Sequence, residues 1–141
     1  MLRNRLIPVV LMKNGVVVQS KGFKRYQRLG NPITIVQRLS DWAADEIIYL
    51  DISHEAVYDL GRDDLNFDNP HNLLEILKNV AKTSFMPLTF GGRIRTIDDV
   101  SLRIQAGADK VTINSQAVRV PEFITQCPKE FGSQCIVVSI D

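Results

Sequence analysis

Residues 86–115, MPLTFGGRIRTIDDVSLRIQAGADKVTINS, decide the fold class. Two apolar runs, at 85–90 and 110–113, are too short for helices and do not alternate strictly with polar residues, which is typical of strands buried on both faces. An amphipathic stretch at 97–106 predicts a helix between them. This strand–helix–strand order predicts two parallel strands joined by a right-handed crossover.

The same pattern continues over the rest of the chain. Further strands are predicted at residues 6–12, 46–52 and 135–140, and further helices at 33–43, 73–80 and 121–130. Asn69 or Asn72 is a candidate cap for the second helix, and Pro121 suits the first turn of the last one. The resulting order βαβαβαβαβ predicts an α/β fold in which all strands are parallel.

A short internal repeat bears on the architecture. Residues 44–47, ADEI, recur as ADKV at 108–111, and the pair Ile7-Pro8 recurs as Met86-Pro87. The repeat favours a barrel built by duplication, while an open doubly wound sheet stays the alternative. No Gly-x-Gly-x-x-Gly turn follows the first strand, which disfavours dinucleotide binding.

The length is short for a complete barrel. A (βα)₈ TIM barrel takes about 250 residues, and this chain has 141. We therefore expect residues 1–141 to be a single domain that forms the N-terminal half of such a barrel, with about five strands and four helices. It would be a fragment, or a half that pairs with something else.

Composition excludes several classes of function. The 17 basic and 16 acidic residues give a net charge of +1, which provides no overall field for binding nucleic acid. No run approaches the roughly 18 to 20 apolar residues of a membrane span. Cys127 and Cys135 have neither zinc-type nor redox-type spacing, which fits a reducing compartment and predicts a cytoplasmic protein.

Candidate site residues follow the predicted strands, because active sites of parallel α/β barrels lie at the carboxyl ends of strands. The Gly91-Gly92 turn has backbone amides that could hold a phosphate, although from the glycine pair alone a tight turn between strand and helix is the simpler interpretation. Asn114 and Ser115 could add side-chain donors. Asp51 is a candidate substrate contact or general acid/base, and capping the next helix or orienting a lysine is the structural alternative. A long acidic connection, residues 54–70, follows it. For Asp141, general acid/base catalysis and capping both stay open.

Other polar residues give weaker signals. His54 and His71 have no partners at ligand spacing, so no metal site is expected. Lys13, Lys21, Lys24 and Arg25 flank the first predicted loop, for which a solvated loop is the simplest interpretation. At the opposite end of the strands, Arg5, Glu46 and Lys110 each open a strand and could form a collar of salt bridges. Ordinary surface pairing is the alternative for that collar.

Ten short motifs together resemble one family along the whole chain. They are RLIP at 5–8, KNG at 13–15, GNP at 30–32, ADE at 44–46, LDI at 50–52, PLTFGG at 87–92, GADKV at 107–111, INS at 113–115, FGSQ at 131–134 and VVSID at 137–141. The chain resembles the cyclase subunit of imidazole glycerol phosphate synthase, a TIM barrel of the ribulose-phosphate-binding type. That resemblance implies a barrel that receives ammonia from a glutaminase docked at its N-terminal face. The barrel then cleaves and cyclises a bisphosphorylated ribulosyl nucleotide in histidine biosynthesis, with no cofactor.

The resemblance also implies roles for individual residues. Asp141 matches one of two catalytic aspartates, and Asp109 falls where the family contacts its glutaminase. Four residues match the family's phosphate site: Gly91, Gly92, Asn114 and Ser115. Three residues match its ammonia gate: Arg5, Glu46 and Lys110.

Three positions depart from the family pattern. Leu11 stands where the family has its other catalytic aspartate, Gln19 where it has a loop lysine, and Arg93 where it has a third glycine. A leucine cannot transfer protons. These departures favour an alternative, a cyclase-like ammonia-channelling subunit for acetamidino-sugar formation in surface-polysaccharide synthesis. A further alternative, supported only by the length, is a non-catalytic half-barrel scaffold.

Overall fold

The computed structural model describes residues 2–54 and 73–140. Within them the strands are β1 Val9–Lys13, β2 Val16–Lys21, β3 Arg25–Gly30, β4 Ile47–Asp51, β5 Leu88–Gly91, β6 Lys110–Ile113 and β7 Ile136–Val138. The helices are α1 Pro32–Asp41, α2 Leu73–Thr83, α3 Ile97–Gln105, α4 Ser115–Arg119 and α5 Phe123–Phe131, with a 3₁₀ turn at Ser133–Cys135. No helix in this part of the chain is long and apolar enough to cross a membrane.

The strands form one sheet in the order β3-β2-β1-β4-β5-β6-β7. Five of these strands, β1, β4, β5, β6 and β7, run parallel to one another as neighbours in this order. This confirms the α/β class and matches what is expected of a partial TIM barrel. The four predicted helices are present as α1, α2, α3 and α5. The short helix α4 was not predicted, because five residues are too few to show a helical period.

The prediction that every strand is parallel is wrong for β2 and β3. These strands pair antiparallel with β1 and with each other, and they replace the solvated loop expected around Lys21, Lys24 and Arg25. Asn14 and Gly15 both have positive φ, at 51° and 78°, as a two-residue hairpin turn requires. The Asn-Gly pair before the valines at 16–18 was therefore a signal for the β1–β2 hairpin.

The helices cover one face of the sheet. Alternate strand residues, such as Met12, Tyr49 and Phe90, are almost fully buried against α1 and α2. The hydroxyl of Tyr49 donates to the carbonyl of Pro32, 2.6 Å away, and so ties β4 to the start of α1. The predicted cap of α2 at Asn69 or Asn72, and nearly all of the predicted connection at 54–70, lie outside the described residues.

The internal repeat has a structural counterpart at the start of the strands. The Asp45 carboxylate accepts the N–H of Leu6 at 2.7 Å, and the Asp109 carboxylate accepts the N–H of Leu88 at 2.8 Å. Each aspartate also donates its own N–H to the carbonyl of the same residue. The repeated aspartates therefore fix the beginnings of neighbouring strands.

Candidate functional site

A cavity of about 710 Å³ lies at the carboxyl ends of β1, β4, β5 and β6. The β2–β3 hairpin supplies one wall of the cavity through Ser20, Phe23 and Tyr26. The ring of Tyr26 also lies under the Lys13 ammonium, 4.0 Å from its centroid, which is a cation–π contact. The cavity is therefore placed where ligand sites of parallel α/β folds occur.

Gly91 and Gly92 lie at the end of β5, between β4 and β6, and Gly92 lines the cavity. A Cβ on Gly91 would lie 2.2 Å from the Thr112 methyl carbon, and one on Gly92 would lie 2.1 Å from the Asp51 carbonyl oxygen. Gly92 also has φ of +99°. Close packing of three strands thus requires both glycines, whatever ligand the turn holds.

Arg93 follows the glycines with φ of 57°, a left-handed backbone that disfavours side chains. Its Nη1 donates to the Ser53 carbonyl at 3.3 Å, which links the turn after β5 to the residues after the neighbouring strand β4. Arg103 supports the same turn from α3: its guanidinium donates to the carbonyls of Gly92 and Arg93, at 3.0 and 3.3 Å. Sequence reasoning missed Arg103, whose only signal is a charge on the buried face of α3.

Asp51 and Ser53 form a buried unit at the end of β4. One Asp51 carboxylate oxygen accepts both the N–H of Ser53, at 3.0 Å, and its hydroxyl, at 2.5 Å. The Ser53 hydroxyl oxygen in turn accepts the N–H of Asn14 at 2.8 Å. Asp51 therefore lines the cavity, while its carboxylate positions Ser53 and, through Ser53, the turn after β1.

Asn114 and Ser115 line the cavity at the end of β6, beside the glycine turn. Asn114 precedes α4 without forming a side-chain cap. The structure thus brings three predicted phosphate-site residues, Gly92, Asn114 and Ser115, to one cavity, while the fourth, Gly91, is buried at the end of β5 next to Gly92.

Asp99 uses the amides at the start of α3. Its carboxylate accepts the N–H of Arg95 at 3.0 Å and of Thr96 at 3.1 Å, and Thr96 accepts the N–H of Asp99 in return. Partial burial alone would raise the pKa of Asp99, but these hydrogen bonds and the nearby Arg103 guanidinium lower it below its usual range. This is a complete capping box.

Leu11 faces the cavity from β1. It pairs with Leu50 on β4 and is partly buried, so this part of the wall is apolar. Asp141, the predicted catalytic residue, lies outside the described residues. His54 is exposed, His71 is outside the described residues, and the described part of the chain contains no cluster of three metal-ligating side chains.

The predicted charged collar assembles at the opposite end of the sheet. Arg5 hydrogen-bonds one carboxylate oxygen of Glu46, and the Lys110 ammonium lies 3.4 Å from the other. Glu46 is only 8% exposed, so this carboxylate is shielded more than one in an ordinary surface pair. Asp109 is next to Lys110, with its carboxylate engaged by Leu88.

Comparisons with known proteins agree on one family. The model of the family described as "Histidine biosynthesis protein" matches residues 5–141. The chain is 43% identical to the imidazole glycerol phosphate synthase subunit HisF of Natranaerobius thermophilus, over all of this chain and 52% of that protein. It is 43% identical to the Campylobacter concisus subunit, over 97% of this chain and 50% of that protein, and 39% identical to the Helicobacter hepaticus subunit, over 99% and 51%. The chain therefore spans about half the length of the curated relatives it matches.

Proposed function

The chain belongs to the histidine biosynthesis protein family, and on that premise we propose that the full-length protein is a cyclase subunit of imidazole glycerol phosphate synthase. Residues 1–141 would form the N-terminal half of its single barrel domain. The observation that carries the proposal is the arrangement of one sheet: a charged collar at the amino ends of its strands and a cavity at their carboxyl ends.

In this function the two ends of the sheet have separate tasks. Ammonia would enter past Arg5, Glu46 and Lys110 and travel along the inner face of the barrel to the cavity. There the ribulosyl nucleotide would bind through a phosphate near the Gly91-Gly92 turn. Asp141 would transfer protons while ammonia replaces the ketone oxygen of the ribulosyl group, which leaves as water. The imidazole ring would close as the C–N bond to the aminoimidazole ribotide breaks, and that ribotide would be the leaving group.

The source of ammonia would be a glutaminase docked at the amino ends of the strands, in a complex we place in the cytoplasm. Exposed apolar side chains support docking there: Phe85, just before β5, is 94% exposed, and Trp42, just after α1, is 74% exposed. Large exposed aromatic side chains are typical anchors of protein interfaces. Because one Asp109 carboxylate oxygen accepts the N–H of Leu88, contact with the partner would use the other oxygen.

The test is turnover by the full-length protein supplied with ammonium salt and the bisphosphorylated ribulosyl nucleotide, without a glutaminase. We expect formation of imidazole glycerol phosphate and an aminoimidazole ribotide, and its loss in Asp141→Asn. Gln134→Ala, at an exposed position, is the matched control and should retain activity. Absence of both products with saturating ammonia would contradict the cyclase assignment.

Leu11 favours a second candidate function. Its apolar side chain faces the cavity beside Leu50 and supplies no group for proton transfer. The protein would then conduct ammonia toward formation of an acetamidino sugar without cyclising a nucleotide. This function predicts no nucleotide turnover, together with stimulation of a glutaminase. If loss of an aspartate is the cause, Leu11→Asp in the full-length protein should recover some cyclase activity.

A further inference from the structure

The wall of the cavity between β5 and α4 is rich in arginine. Arg93, Arg95 and Arg119 all line it, and they come from the loop after β5 and from α4. Among the described residues that line the cavity, Asp51 is the only one that carries a carboxylate, and this carboxylate already accepts two hydrogen bonds from Ser53. This side of the cavity therefore presents positive charge to a ligand.

The start of α3, which follows Arg93 and Arg95 in the chain, is already used by the protein. The N–H groups of Arg95 and Thr96, at the beginning of α3, both donate to the Asp99 carboxylate. A ligand anion would have to displace a capping box to reach them. Recognition of an anion at this wall therefore falls to side chains more than to the amides of α3.

The backbone at Arg93 is well supported but unfavourable for arginine. Arg103 holds the carbonyls of Gly92 and Arg93 from the helix side, which fixes the turn. The φ of 57° is one that glycine adopts without cost and arginine does not. Local backbone energy therefore does not account for a side chain at this position, whereas a function of the guanidinium would.

We propose that Arg93 is a substrate-binding residue that pairs its guanidinium with a phosphate ester in this cavity. The contact to the Ser53 carbonyl, at 3.3 Å, keeps the guanidinium in the cavity and leaves the planar fork suited to two parallel hydrogen bonds with phosphate oxygens. Arg95 and Arg119 add to the local positive field. The identity of the ester as the ribulosyl nucleotide rests on the proposed function, while the phosphate contact does not.

The first experiment measures binding of inorganic phosphate by the full-length protein, from the rise of Tm with phosphate at constant ionic strength. We compare Arg93→Gly, Arg93→Gln and the matched control Arg38→Gln, which changes an exposed arginine on α1. Both Arg93 variants should bind phosphate about 10- to 100-fold more weakly, as expected for loss of a charge-assisted contact. Arg38→Gln should bind it as the unchanged protein does.

Stability without phosphate separates binding from a structural role. Arg93→Gly should keep or raise Tm because glycine relieves the left-handed backbone. If Arg93 only supports the structure through its hydrogen bond to Ser53, both variants will have a lower Tm and unchanged phosphate affinity. That result would overturn the proposal. It would also be overturned if the unchanged protein showed no response to phosphate. Loss of phosphate binding in a protein without cyclase activity would support this proposal and reject only the proposed function.

Discussion

The position of Gly92 requires glycine for structural reasons, whatever the function of the cavity. Its φ is +99°, and a Cβ there would overlap the backbone of Asp51, with no flexible side chain to move away. We expect Gly92→Ala to lower the free energy of unfolding by about 3 kcal/mol or more, because strain and overlap add. Urea unfolding followed by circular dichroism measures the change.

Gly22 is the matched control for that substitution. It also has positive φ, +62°, but nothing lies within 4 Å of a Cβ added there. Gly22→Ala should therefore cost only the backbone term, about 1 kcal/mol. Equal losses in the two variants would show that the Asp51 overlap is relieved by a small backbone shift.

Asp99 provides a pH-dependent contribution to stability. Its pKa is lowered in the folded protein, mainly because hydrogen bonds and Arg103 outweigh the effect of burial. A carboxyl with a lowered pKa stabilises the fold above its unfolded pKa of about 3.9, and loses that contribution as pH falls through its folded pKa. Asp99→Asn should cost about 1 kcal/mol at pH 7 and distinctly less at pH 3.

The measurement is the difference in urea midpoint between Asp99→Asn and the unchanged protein at the two pH values. Asp98→Asn, an exposed neighbour in the first turn of α3, controls for the general effect of removing a negative charge there. A difference for Asp99→Asn that is constant with pH would show that the carboxylate charge does not contribute to the cap.

At the scale of elements, hydrophobic periodicity predicted the strands and helices whose burial it reflects. Strands were found at the predicted apolar runs, and helices with one apolar face where expected, as with α3 at Ile97–Gln105. Burial on both faces of the sheet holds for β5 and β6 but not for β1, β4 and β7. The β1–β2 hairpin was missed although Asn14-Gly15 signals it, and β3 was missed with it, because the basic residues after Val18 were interpreted as a solvated loop. The candidate site was predicted at strand ends, but the support from Arg103 and Ser53 depends on contacts between distant segments, which no local pattern records.

Asp109 has both a structural and a proposed partner role, and the two are separable. Its carboxylate accepts the N–H of Leu88 and so fixes the start of β5 against β6. Asp109→Ala should lower the free energy of unfolding by about 1 to 2 kcal/mol, because a buried amide loses a charged acceptor. Asp41→Ala, at the exposed end of α1, should change it by less than about 0.5 kcal/mol.

Thermal unfolding of the two variants, alone and with a glutaminase, checks this prediction. An unchanged Tm for Asp109→Ala combined with weaker glutaminase binding would contradict the structural role and leave partner contact alone. A lower Tm with unchanged glutaminase binding would show that the carboxylate acts only within the sheet.

At the scale of the whole molecule, the two faces of the sheet differ sharply. Helices cover one face, while on the other Leu11, Ile48 and Leu50 are only partly buried and Val9 is 56% exposed. Strands β3 and β7 form the two edges of the described sheet. In a closed barrel this second face would be the interior, where side chains from all strands pack in layers.

The 141-residue chain expressed by itself should therefore associate through this face. Apolar patches and unpaired strand edges drive association when nothing covers them. We expect its sedimentation coefficient to rise with concentration in the micromolar range. Val9→Lys should weaken association about tenfold or more, because the charge would be buried in the contact, whereas Gln37→Lys, at an exposed position on α1, should leave it unchanged. A chain that stays monomeric at all concentrations would mean that the face needs no cover, and equal behaviour of the two variants would place the contact elsewhere.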